Sequence, residues 1–464
     1  MTRTLRLPAV TRIEGHGRVS LVVGDDGRVK EASFNVLEFR GFEKILEGRM
    51  IWEMPLVTSR ICGICPVSHH IAAVKAADAL LGAELPPAAR SLRELLQLAG
   101  FVHDHALHFF LLAGPDFLLG DGAASRDLLG VLEARPDLAR AAISLRKAGQ
   151  RVVEAIGGQA GHPVTAIPGG MSRALPDDVR KELLAVVREA LPGAEEAEAL
   201  SREATLRLLA EHPGFASADT PLVAQIAGGR AFDVYDGTLV ALGPDGSRAE
   251  FDASGYAEHI GEVTLPWTYA KAPYLKALGV PDGHYRVGPL ARLRIAEDMR
   301  GERANAAASA FRSELGETSA ALAYHWARMI ELVAVLERME ALLADSATSG
   351  DDVRVKVERR AGSGSAAVEA PRGTLIHHYE ADDVGRVTRA EIIVATTQNS
   401  VAIGRAAAQA VQGEAVLDGK LPDAVRQKME LGIRAYDPCL SCATHEVGRM
   451  PFSVEVLHAR GEGR

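Results

Sequence analysis

The chain has 464 residues, 47% of them hydrophobic, enough to bury a large core in one or two domains and too apolar for wholesale disorder. A formal net charge of −9, with Lys and Arg spread along the chain, makes it a poor nucleic-acid binder. No run of eighteen apolar residues occurs, and the nearest candidate, around Phe109 to Leu119, is broken by Gly114, Pro115 and Asp116, so no membrane span is expected; Met1 to Val10 lacks the apolar region of a signal peptide, which points to the cytoplasm.

In chain order, Arg18 to Val23 alternates, Gly24-Asp25-Asp26-Gly27 is a turn, and Val29 to Phe39 alternates again, which predicts a hairpin. Helical pattern then dominates. Cys65-Pro66 opens a helix running to about Leu81, with Pro66 suited to its first turn. Pro86 and Pro87 precede an amphipathic stretch through Leu92, Leu95, Leu96, Ala99 and Val102. More helix is predicted at 137–157, 176–211 and 303–345. Hairpins are predicted at 233–251, around Gly243-Pro244-Asp245-Gly246, and at 374–396, around Asp382 to Gly385. Helices follow at about 401–411 and 421–433. The Ser-, Gly- and Asp-rich stretch 346–366 reads as a loop. No repeat or dividing linker is visible, so the expected fold is mainly α with small antiparallel β-sheets (α+β).

There are four cysteines, in two C-x-x-C pairs: Arg60-Ile61-Cys62-Gly63-Ile64-Cys65-Pro66-Val67-Ser68-His69-His70 and Asp437-Pro438-Cys439-Leu440-Ser441-Cys442-Ala443-Thr444-His445. Two thiolates at this spacing can face one metal, and Cys65 lies where a helix N-terminus favours an anion. Four thiolates make a soft site suited to zinc, nickel or iron. On spacing alone a structural zinc site leads. Against it, the pairs lie near opposite ends of the chain, and acid, Arg and His residues crowd both. A thioredoxin-type redox pair lacks its βαβ context.

Both segments resemble the signature motifs of nickel–iron hydrogenase large subunits. So do Thr11-Arg12-Ile13-Glu14-Gly15-His16, Arg40-Gly41-Phe42-Glu43, His103-Asp104-His105, Pro168-Gly169-Gly170 and Ala370-Pro371-Arg372-Gly373. The resemblance spans essentially the whole chain and is thinnest at 174–230 and 340–366. It implies that the fold is built on the helical core of that family, and that all four cysteines bind nickel, with Cys65 and Cys442 also bridging to an iron that carries carbon monoxide and cyanide. The implied reaction is heterolytic cleavage of dihydrogen. Cys439 is the expected base, with Arg372 a rival that its permanent charge disfavours. Glu14 would receive the proton next. Asp104 and Asp437 would pair with Arg372, although Asp104, His105 and His108 taken alone read as a polar patch on a helix. Pro371 and Thr396 would lie against the cyanides; Thr396 departs from the Ser frequent there, but keeps a hydroxyl.

Glu43, His445 and the carbonyl of Ser400 match a magnesium site. His69 and His70 are expected to pack near the first pair without acting as ligands. The resemblance also implies one catalytic body over 1–445: an N-terminal β-hairpin, a helical core and a C-terminal metal-binding segment. Residues 446–464 would be removed by a maturation endopeptidase after nickel-insertion chaperones have acted; alone, they read as a terminal strand. If the active site uses all four cysteines, none is left for iron–sulfur clusters, and no G-x-G-x-x-G follows a strand. Electrons would therefore leave through a small partner subunit with iron–sulfur clusters. The runs Arg40 to Asp78 and Ala435 to His445 resemble the soluble bidirectional NAD-linked type, whose flavin and NAD sit on a diaphorase module. An NADP-, deazaflavin- or heterodisulfide-linked hydrogenase is the nearest alternative. The homologous quinone-site subunit of respiratory complex I lacks the cysteine pairs.

Overall fold

The computed structural model describes residues 3–6, 10–37, 41–119, 128–416 and 420–443; Arg40, His445 and 446–464 lie outside them. The N-terminal alternation forms Gly17–Val23 and Val29–Val36, antiparallel with Val19 opposite Phe34 and Leu21 opposite Ala32. A strand at Arg3–Arg6, outside the bounds of the predicted hairpin, pairs along the outer edge of the first. Val19, Leu21, Val29, Phe34 and Val36 face inward, and the sheet lies on helix Ala395–Val411.

Five long helices form the body around the first cysteine pair. In Pro66–Leu81 every residue except Lys75 and Ala79 is buried, as befits a helix that is apolar all round. Pro87–Ala106 and Pro136–Gly157 pack on each other, and Tyr324–Ala344 packs on Pro87–Ala106 and on Asp177–Glu211. Proline opens three of these helices, where its missing N–H costs nothing. The Pro87 helix runs on through a π-helical stretch, Leu107–Ala113. By length and composition alone its span Pro87–Asp116 could cross a membrane. Of its most apolar window, 72% is buried inside the protein, as in a core helix.

Two expectations change. The helical stretch 303–345 is two helices, Glu302–Leu315 and Tyr324–Ala344, with the break at Gly316. The loop expected over 346–366 ends early, because Gly362–Ala370 is a strand. Its apolar face is carried by alanines, which hide the period-2 signal. It pairs with Gly373–Ala381, which pairs in turn with Val387–Ile393, all antiparallel. The Gly362 and Gly373 strands pack against the Pro66 helix. Ala370 pairs directly with Gly373, so Pro371 and Arg372 form the tip of a two-residue hairpin. Gly373 has φ +139°, and a Cβ there would lie 2.3 Å from Val287, so only glycine lets the tip sit this deep. Away from the site, Thr238–Leu242 and Arg248–Phe251 form the expected hairpin within a four-stranded sheet.

Candidate metal centre

Cys65 caps the N-terminus of the Pro66 helix, and Cys62 precedes it by one turn. Cys439 and Cys442 lie just beyond helix Asp423–Ala435. Although the pairs are 377 residues apart in sequence, their sulfurs meet: Cys62 Sγ is 3.3 Å from Cys439 Sγ, Cys65 Sγ is 3.5 Å from Cys442 Sγ, and Cys439 Sγ is 3.1 Å from Cys442 Sγ. All four lie within 4.8 Å of one another and are buried. The amides of Ile64 and Cys65 donate to Cys62 Sγ at 3.2 and 3.3 Å. Hydrogen bonds from Cys439, Cys442 and Cys65 hold Cys62 well below the usual thiol range. Burial pushes Cys439 well above it.

This set fits a metal. Sulfurs bonded to one metal at about 2.3 Å stand about 3.8 Å apart, close to the spacing here, and a soft cation would replace the protons that now keep like charges from meeting. Beside Cys65 and Cys442 is a cavity of roughly 20 Å³, lined by the polar Arg372 and Thr396 and by the apolar Ala370, Leu375 and Val394. Such a space suits diatomic groups with an apolar body and a polar tip.

Glu14 reaches this cluster from the N-terminal segment. Its carbonyl accepts from the Leu440 amide at 3.0 Å. Its Oε2 accepts from the Cys439 thiol at 3.1 Å and from the Ser441 amide at 2.9 Å. Arg434 anchors that segment, donating to the Thr11 carbonyl at 2.9 Å while pairing with Asp116 at 2.9 Å. Thr396, at the start of the Ala395 helix, accepts the Cys439 N–H on Oγ1 at 3.0 Å. The adjacent histidines diverge. His69 Nε2 lies 3.4 Å from Cys442 Sγ, whereas His70 bonds to the Pro55 carbonyl and the Ala166 amide.

At the hairpin tip, Arg372 donates from Nε to the Asp437 carbonyl at 2.7 Å, from Nη2 to Asp437 Oδ1 at 3.0 Å and from Nη1 to Asp104 Oδ2 at 2.8 Å. Asp437 adopts φ +53°, which turns its carbonyl and carboxylate toward the same guanidinium. Burial pushes Asp437 up to about 7, against the pull of Arg372 and with a further push from Asp104; Asp104 rises for the same first reason. Burial opposes the charge of Arg372, but the two carboxylates outweigh it and keep the guanidinium protonated.

A group that sequence reasoning missed holds the tip in place. Arg292, fully buried on helix Pro289–Ile295, donates to the carbonyls of Ala370 and Pro371, both at 2.9 Å. It is paired with Glu331 at 2.6 Å and Glu369 at 2.7 Å, and His105 Nε2 reaches Glu331 at 3.0 Å. Removing one member would leave a buried charge without its partner. The available signal was Glu331 itself, a carboxylate inside the apolar run Ile330 to Leu336, where only a paired acid is tolerable.

The proposed magnesium ligands are only partly described. Glu43 is buried on helix Phe42–Leu46, and Ser400 is half-buried on the Ala395 helix. His445 lies outside the described residues.

The nickel-dependent hydrogenase family model matches residues 40–128 and 249–445, and a model described as HoxL-like matches residues 4–39. The chain belongs to the nickel-dependent hydrogenase family. It is 42% identical over 407 residues to a component of the vhu F420-non-reducing hydrogenase of Methanocaldococcus jannaschii, covering 87% of this chain and 97% of that one. It is 37% identical over 480 residues to the beta subunit of the NAD-reducing hydrogenase HoxS of Cupriavidus necator, covering 99% of this chain and 98% of that one. A crystal structure of an NAD+-reducing [NiFe]-hydrogenase in its H2-reduced state superposes with a TM-score of 0.89 at 42% identity, covering 96% of this chain and 100% of that one. The chain is thus a nickel–iron hydrogenase large subunit, the catalytic subunit of an oxidoreductase acting on H2.

Proposed function

We propose that this hydrogenase subunit splits dihydrogen reversibly and heterolytically, passing electrons through a partner iron–sulfur subunit to NAD. In this reading Cys62, Cys65, Cys439 and Cys442 would hold the nickel–iron centre through their thiolates. The cavity beside Ala370 and Thr396, next to the hairpin tip at Pro371, would take the carbon monoxide and cyanide of that centre. When bound, the metals supply the Lewis acidity and electron storage that polarise H2.

The protein's own part rests on one observation, the 3.1 Å contact between Cys439 Sγ and Glu14 Oε2. Cys439 takes the proton and passes it to Glu14, whose bond from the Ser441 amide fixes the receiving oxygen. Arg372, held protonated by Asp104 and Asp437, contributes positive charge over the site and is not the base. The contact between Asp437 and Arg372 keeps the turn that carries Cys439 in register with the hairpin tip.

The electron exit follows from the cysteine count: four, all in one cluster. The partner's docking face includes Ile45, Trp52 and Leu56, which are exposed on the segment leading into Cys62. A flavin-containing diaphorase module completes transfer to NAD in the cytoplasm. The identity to the F420-non-reducing hydrogenase supports a second reading, delivery to a different acceptor. Glu43, His445 and the Ser400 carbonyl would hold magnesium. Residues 446–464 would be cut away by the endopeptidase once nickel-insertion chaperones have loaded the centre. Purifying the assembly and measuring H2-dependent reduction of NAD, NADP and a viologen dye tests this. Reduction of NAD supports the first reading. Reduction of the dye without either nucleotide supports the second, and no H2-dependent reduction in metal-loaded assembly contradicts both.

A further inference from the structure

From Cys442 a line of buried polar groups leads away from Glu14 and Arg372. His69 Nε2 is 3.4 Å from Cys442 Sγ, His69 Nδ1 is 3.2 Å from His377 Nε2, and His377 Nδ1 is 2.6 Å from the Tyr379 hydroxyl. The Thr58 hydroxyl beside the phenol gives its own proton to the Met54 carbonyl at 2.7 Å. His377 and Tyr379 are two residues apart on the Gly373 strand, so they share the face that packs on the Pro66 helix bearing His69. His69 is 1% exposed and the other three are 0% exposed.

We propose that Tyr379, acting through His377 and His69, sets the electron density on the Cys442 sulfur and so tunes the metal centre, an inference resting on the reading that Cys442 is a metal ligand. Tyr379 is a positioning residue; it touches no reacting atom.

Hydrogen-bond direction along this line couples Tyr379 to the sulfur. His69, His377 and Tyr379 are buried with no carboxylate among their hydrogen-bond partners, so each ring is neutral and the only freedom is where it carries its proton. A metal-bound thiolate can only accept. His69 must then carry its proton on Nε2, which leaves Nδ1 as an acceptor. His377 must carry its proton on Nε2, and its Nδ1 must accept from Tyr379. With Cys442 as a thiol the line can run the other way, from S–H outward to the phenol and Thr58. Exchanging that proton for a metal leaves only the inward direction. Each bond polarises the next in a medium from which water is excluded. A donor to a ligating sulfur withdraws charge from the metal it serves.

The test uses the holoenzyme purified with its partners, with the iron's carbonyl and cyanide infrared bands read in one matched redox state. Tyr379→Phe removes the terminal donor and should move the bands to lower wavenumber, with nickel and iron contents unchanged. Difluorotyrosine incorporated at 379 keeps ring and hydroxyl but is a stronger donor, and should move them to higher wavenumber. Shifts of opposite sign separate tuning from a packing effect, which would not reverse. Unmoved bands in both proteins, or shifts of the same sign, overturn the proposal. If the phenylalanine variant does not assemble, the sign of the difluorotyrosine shift decides alone. Wild-type enzyme lacking such bands would instead overturn the reading of Cys442 as a ligand.

Discussion

Glu14→Gln isolates the proton path, because one atom carries both of the relevant contacts. Oε2 accepts the Ser441 N–H at 2.9 Å and the Cys439 S–H at 3.1 Å. The Ser441 amide is a fixed donor, so the glutamine must present its oxygen there, not its NH2. Position and packing are kept, and a charge-assisted bond becomes a neutral one, a loss of about 1 kcal/mol in stability. The amide oxygen can accept a hydrogen bond but cannot carry a proton onward. Losing a positioned acid–base group costs about 10²- to 10⁴-fold in rate, or roughly 3–5.5 kcal/mol in barrier. The assays are H2 oxidation with a viologen dye and exchange of D2 with solvent protons, on protein shown to hold nickel and iron. Both rates should fall together while the melting temperature barely moves. Wild-type exchange in fully metallated protein would refute Glu14 as the acceptor from Cys439.

Arg372→Lys keeps one charge between Asp104 and Asp437 but loses the fork that makes three bonds, costing about 2–4 kcal/mol; denaturant unfolding reads the stability and dye assays the accompanying loss of turnover. Thr396→Ala orphans the buried Cys439 N–H at a cost of about 1–3 kcal/mol, whereas Thr396→Ser restores the acceptor; equal melting temperatures for the two would contradict the bond. Acid should destabilise the fold through histidines buried neutral. Burial holds His70 and His105 at about 4, from 6.5, so between those values the unfolded chain binds protons that the folded one refuses. Their stability contribution is complete above 6.5 and is lost as pH falls toward 4, by about 1.4 kcal/mol per pH unit for each group. Melting curves from pH 7 to 4.5 should show this decline, which a flat profile would contradict.

What was legible in the sequence depended on how local the signal was. Pro66 and Pro87 announced their helices, because a proline at the first turn is a backbone constraint that needs no tertiary context. The C-x-x-C pairs announced soft-metal chemistry, but not that Cys62 would meet Cys439 across the fold. That meeting is set by the packing of the Pro66 helix beside the turn after Ala435. Arg372 carried no signal by itself; a lone arginine reads as surface until the hairpin is known to drive it inward. Arg292, Glu331 and Glu369 escaped for the same reason, since a buried charge is recognisable only with its partner, and these three come from separate elements. His377 and Tyr379 were visible as alternate residues of a strand, but the helix they face was not. The break at Gly316 was overridden by the strong helical periodicity on both sides.

The central claim is that the four cysteines hold a nickel–iron centre. Infrared spectroscopy on the chain purified with its native partners, with metal analysis of the same sample, tests it most directly. The account predicts sharp carbonyl and cyanide stretches together with one nickel and one iron per chain. Zinc in the four-cysteine site and no such bands, in protein already cut after His445, would contradict it.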